Sequence, residues 1–148
     1  MEEKKVLKIK SWLYDCTEDE VQANIKQTED VEILYSYMYH YNWDNGFGIP
    51  QSILDNEKCD LSTALLAFYQ ADGTVYLFDK AENENLPQWS AFIRKLYDSI
   101  LEGKYEKGHI GFKIPLSRVQ LYKLEKKLTE PEKIFIKNIE GVNLDVSL

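Results

Sequence analysis

The stretch PQWSAFIRKLYDSILEG, residues 87–103, constrains the fold more than any other in the chain. Pro87 sits where a helix tolerates a missing amide, Trp89, Phe92, Ile93, Leu96, Ile100 and Leu101 recur at helical spacing, and Gly103 stands where a helix stops. A wide apolar stripe of this kind must be buried against other elements, so the rest of the chain has to supply partners for it.

Those partners also read as helices. Val6, Ile9, Leu13 and Cys16 form one stripe on a helix closing near Asp15. Thr17 stands three residues before Glu20, a capping box that opens a helix through about Gln27. Thr28, followed by Glu29 and Asp30, reads as the next N-cap. Val31 to Tyr41 fits a strand by its alternating tyrosines and a helix by Val31, Leu34, Met38 and Tyr41, and the preceding cap favours helix. Asp60 caps LSTALLAFYQA, a nearly all-apolar core helix stopped by Gly73. TVYLF, residues 74–78, fits either a short strand or an extension of that helix. YEKGHIGFKIPLS reads as a loop or short hairpin across 105–114, and Ser117 then caps a basic helix with Leu121, Leu124 and Leu128 on one stripe. Thr129, Pro131 and Glu132 announce a last helix over PEKIFIKNI, although Ile134 and Ile136 also alternate as in a strand. The fold class expected is all-α, a single helical domain over 1–148 with about seven helices and short strands or a hairpin near 74–78 and 105–114.

The chain is long enough for one buried core, and its 44% hydrophobic and 29% charged residues exclude disorder. No apolar run is long enough to span a bilayer and no signal peptide opens the chain, so a cytoplasmic protein without membrane partners is expected. Cys16 and Cys59 form neither a CxxC pair nor a disulfide framework. Residues 11–90 carry fifteen acids against Lys26, Lys58 and Lys80, a local net of −12 within a chain of net −7. That field repels phosphate, which argues against nucleic acid and for a basic partner. The 117–128 helix, with Arg118, Lys123, Lys126 and Lys127, reads as a solvated face.

The least ordinary stretch is YNWDNGFGIP, residues 41–50. If helix continues through it, His40 and Asp44 share a face, a carboxylate-oriented imidazole that could serve as a general base. No nucleophile is marked to accompany them: a GxSxG elbow is missing, and Cys59 has no histidine partner in its pattern. Calcium-loop spacing fails because Tyr41 and Trp43 offer no ligand oxygen, His109 stands alone, and no phosphate-binding glycine pattern occurs, so neither metal nor cofactor is expected. As architecture, Gly46 would be the left-handed residue ending the Tyr-rich helix, with Phe47 folding back on Tyr41 or Asn42 and Pro50 opening the next helix. Asp44 would then accept backbone amides near Gly46 or at the Pro50 helix. Asn45, Gly46, Pro50 and Asp60 are thus expected as turn residues, and Tyr37, Tyr41, Trp43, Asp44 and Phe47 as a binding surface.

The run from YNWDNGF through GIPQSILDN to CDLSTALLAFYQADG resembles a bacterial family of unknown function marked by YNWDDGF, IP and CDLGTAL segments. The likeness covers about residues 34–73, with a looser one in WSAFIRKLYDSILEGKY, and Asn45 and Ser62 depart from it where the family pattern has Asp and Gly. The resemblance implies a small helical bacterial protein and carries no activity with it. Two function classes follow. One is a protein-binding module, in its specific form an immunity-type inhibitor holding a basic toxin, drawn from the acidic segment and its seven tyrosines. The other is a small hydrolase or lyase using His40 and Asp44 beside Trp43.

Overall fold

A computed structural model describes residues 1–148. Eight α-helices carry the fold: α1 (Glu3–Tyr14), α2 (Glu18–Gln27), α3 (Val31–His40), α4 (Gly48–Asp55), α5 (Leu61–Gln70), α6 (Gly73–Phe78), α7 (Pro87–Leu101) and α8 (Arg118–Lys127). Two 3-10 turns, Trp43–Asn45 and Pro131–Ile136, complete the helical elements, and strands are limited to isolated bridges.

The all-apolar helix is the centre. Every side chain of α5 from Leu61 to Phe68 is buried, and α5 packs against α3, α4, α6 and α7. Around it α1 leans on α3 and α2 on α4, while α8 and the Pro131–Ile136 turn close the far side against α6 and α7. Phe68, at the end of α5, meets Phe135 with ring centroids 4.8 Å apart, and Phe135 stacks on Tyr97 of α7 at 5.1 Å. One contiguous apolar core therefore runs from Ile9 to Ile139.

Local chemistry explains most boundaries. Thr17 and Glu20 form the reciprocal capping box, at 3.2 and 3.0 Å, and Ser117 and Gln120 form a second. Asp60 Oδ1 accepts from the Thr63 amide at 2.8 Å. After α7, Gly103 at φ +82° receives the chain into a Schellman closure: its amide donates to Ile100 O and that of Lys104 to Ser99 O, each at 3.1 Å.

Five local expectations are corrected. The N-cap of α3 is Asp30, not Thr28: Asp30 Oδ1 takes the Glu32 amide at 3.0 Å, while Thr28 Oγ1 supports Asp30 from outside at 3.3 Å. Asp72, at φ +61°, makes the left-handed turn after α5, and Gly73 opens α6 instead of stopping α5. A Cβ at Gly73 would stand 2.2 Å from the Phe68 ring, so close packing is what requires glycine there. TVYLF belongs to that short helix. No hairpin forms within 105–114; instead Phe112 pairs with Ile139 and Ile110 with Val142, a long-range contact in which Gly111 and Gly141 cross too closely for side chains. Finally, PEKIFI is a 3-10 turn in which only half of the expected box survives: Thr129 donates both its amide and its hydroxyl to Glu132, each at 3.0 Å.

Candidate functional site

The corner YNWDNGFGIP is built differently from a Schellman closure. Helix α3 ends at His40, because Tyr41 takes an extended conformation at φ −62°, ψ 136°, and its hydroxyl reaches forward to donate to Gly46 O at 2.7 Å. Asn42 then caps a single 3-10 turn, its Oδ1 accepting the Asp44 amide at 3.0 Å. Gly46 adopts φ +93°, ψ −167°, a region for glycine but not the left-handed helical one, so the expected helix closure at this residue does not form. Pro50 lies buried in the first turn of α4, as a proline tolerates.

This geometry separates the two residues proposed for catalysis. With the helix finished at His40, no shared face exists: His40 Nε2 lies 2.6 Å from Val146 O of the carboxyl-terminal segment, and Asp44 is exposed. The Asp44 side chain accepts none of the expected backbone bonds; Asn42 is the tie.

The aromatic residues do come together. Trp12, Tyr37, Tyr41, Trp43, Phe47 and Phe92 form a continuous row, with successive ring centroids 5.8, 6.5, 5.5, 6.2 and 4.8 Å apart. Edge-on and tilted contacts of this kind stabilise beyond the area they bury. The row divides in two. Trp43 and Phe47 pack inward on Phe92, and Trp43 Nε1 donates to Gln70 Oε1 at 3.2 Å, so these two serve the corner more than any surface. Trp12, Tyr37 and Tyr41 instead line a groove of about 520 Å³ that also meets Tyr14, Glu18 and His40.

Helices α1, α2 and α3 frame that groove. Tyr14 ends α1 and is 74% exposed at the mouth. The capping box at Thr17 turns the chain so that Glu18 faces the rings, and the absence of a side chain at Gly48 leaves room for it: a Cβ there would stand 3.3 Å from Glu18 Oε1. Burial, with Cys16 and Glu18 adding, pushes the Tyr37 hydroxyl up to about 12; burial, then Glu18 and Tyr37, does the same for Tyr41. Both phenols therefore stay protonated and neutral at physiological pH. Ion pairs elsewhere engage Asp30, Glu32, Asp55, Glu82, Glu130 and Glu132, and none engages Asp15, Glu18, Asp19 or Asp44. Trp12, Tyr14 and Glu18 carry no mark of this site in the sequence, and Cys16 stands there only as an apolar position of the α1 stripe. Their signal was local, an aromatic one turn from the α1 stripe and acids in the first turn of α2, but nothing in the pattern says that α1 leans on α3.

Asp60 keeps its expected role as a cap. Its Oδ2 is enclosed without a partner beneath Gly108, and burial raises its pKa. Nearby, His109 is not solitary, since its Nε2 meets Glu32 Oε2 at 2.6 Å and Glu32 also holds Lys5 at 2.9 Å. Cys59 is a buried thiol whose pKa burial raises, which makes it unreactive as a nucleophile. No three His, Cys, Asp or Glu side chains are arranged to hold a metal ion, and no helix is long and apolar enough to cross a membrane.

Residues 29–101 match the model of a family described as Domain of unknown function (DUF4274). The match covers just under half of the chain and takes in α3 to α7. It contains the first segment that carried the resemblance in the sequence and most of the second, which runs on to Tyr105, and the description names no activity. Neither a curated protein nor a solved structure matches the chain. The groove straddles the edge of the match: Tyr37, His40 and Tyr41 lie inside it, while Trp12, Tyr14 and Glu18 come from α1 and α2 outside it.

Proposed function

We propose that this protein is a binding module that captures a basic protein partner on the side formed by α1, α2 and α3. The observation that carries the reading is the pairing of an aromatic groove with carboxylates that nothing in the chain neutralises. Folding leaves these acids free, and aromatic rings supply contact area at small entropic cost, so the surface suits a cationic partner. In its specific form the module is a cytoplasmic bacterial inhibitor of the immunity type, acting on a basic toxin encoded nearby. The hydrolase or lyase reading has no comparable support, because His40 is engaged by Val146 O and Asp44 faces solvent.

The test is co-purification of the tagged protein with the product of its neighbouring gene at low and high salt. Retention that weakens as salt rises, and that is lost when Glu18 and Asp19 are replaced by lysine, supports the reading. Absence of any basic partner at low salt counts against it.

A further inference from the structure

The geometry points to a single arginine side chain, presented by the partner, as the ligand that fills the Trp12–Tyr37–Tyr41 groove. This inference rests on the protein-binding reading and names the chemistry of its anchor. Tyr37 is the decisive residue. The residue is 4% exposed, yet no group in the chain bonds its hydroxyl, and Cys16 and Glu18, which act on that hydroxyl electrostatically, both line the groove. The polar side-chain atoms fully enclosed without a partner are Ser36 Oγ and Asp60 Oδ2, so the Tyr37 hydroxyl opens into the groove instead of being sealed. A buried phenol that leaves its oxygen unpaired in a cavity leaves a hydrogen-bonding position for a ligand.

The remaining lining selects the ligand. Glu18 brings a carboxylate held in no ion pair, and Tyr41, which already donates to Gly46 O, keeps its oxygen lone pairs for accepting. No lysine or arginine lines the groove, and its one histidine, His40, has its Nε2 engaged by Val146 O. Acceptors on a ring-lined wall call for a cation with several donors and a flat, weakly hydrated body, which describes guanidinium better than ammonium. Tyr14 at the mouth offers a further ring to the aliphatic stem.

The probes are three pentapeptides, Gly-Gly-Xaa-Gly-Gly, with Xaa as arginine, lysine or citrulline, followed by the indole N–H signal of Trp12 in NMR titrations of the full chain. The arginine peptide is expected to shift that signal and to bind roughly tenfold more tightly than the neutral citrulline peptide, as loss of one charge-assisted bond implies. Glu18→Gln and Tyr37→Phe are expected to weaken arginine binding, while Glu125→Gln on α8 leaves it unchanged. Tyr37→Phe keeps the ring, and an unchanged unfolding midpoint shows that the groove is intact. Equal binding of arginine and citrulline, or full binding by both groove variants, overturns the inference. The two proposals fail separately. Partner capture that survives Glu18→Gln and Tyr37→Phe overturns the anchor and leaves the binding module standing. Selective arginine binding without any basic partner supports the anchor and removes the protein-binding reading.

Discussion

Two groups of acids in this molecule have opposite fates. Glu132 is 7% exposed and fully engaged: it meets Lys80 at 2.8 Å and receives the Tyr97 hydroxyl at 2.7 Å in addition to both donors of Thr129. Glu18, Asp19 and Asp44 are exposed and enter no ion pair, and Glu18 lines the aromatic groove. The difference separates two uses of the same chemistry. The carboxylate that closes the fold recruits several donors, whereas these three are left open, as the proposed capture of a cationic partner requires.

That contrast is sharpest at Glu132. Replacing it with alanine leaves Lys80, Tyr97 and Thr129 without their shared acceptor and is expected to cost about 3 kcal/mol in denaturant unfolding. A loss below about 1 kcal/mol would place Glu132 with the open acids. Acid titration probes the same difference. Burial pushes the Glu132 carboxyl up, but Lys80, Tyr97 and Thr129 outweigh it and hold it at about 2, against an ordinary 4.5. Because its pKa is lowered in the folded state, its contribution is complete above about pH 4.5 and disappears as pH falls toward 2. Stability measured across that window is expected to fall with pH in the native chain and to fall less steeply in Glu132→Gln.

Smaller effects test the corner at residues 41–50. Asn42→Ala removes the cap of the 3-10 turn and is expected to cost about 1 kcal/mol. Asp44→Ala removes no hydrogen bond made by its side chain and is expected to stay within about 0.5 kcal/mol of the native chain. The reverse order would restore Asp44 as the tie. On the same small scale, Glu18→Gln with Asp19→Asn is expected to lower the unfolding midpoint only slightly in calorimetry, since both acids stand in the first turn of α2, while weakening capture of a basic partner.

How much of this was legible in the sequence depends on whether its cause is local. Thr17, Asp60, Pro87, Gly103 and Ser117 mark their helices because capping is settled within a few residues, and the structure follows them. The end of α3 was not legible. No helix breaker stands between His40 and Gly46, and the chain leaves the helix because Tyr41 takes an extended conformation and its hydroxyl closes on Gly46 O. The bridges between 110–112 and 139–142 escaped for the same reason, since they need two glycines about thirty residues apart to cross. At the site, Tyr37 and Tyr41 were visible as an aromatic run, but Trp12 and Glu18 join them only when α1 and α2 pack around α3. Trp43 and Phe47, expected on the same surface, are drawn inward by Phe92.

If, as proposed, Glu18 and its neighbour Asp19 serve a cationic partner, reversing their charge removes capture while leaving the chain folded. The most direct measurement compares the native chain with the Glu18→Lys, Asp19→Lys variant, both immobilised, for retention of the neighbouring gene's product across a salt gradient, with melting curves recorded in parallel. Salt-sensitive retention of a basic protein by the native chain and its loss in the variant are expected, while the variant still melts cooperatively and loses only about 1–2 kcal/mol from the lysines placed in the first turn of α2. Equal retention by both chains, or retention that does not respond to salt, would contradict it.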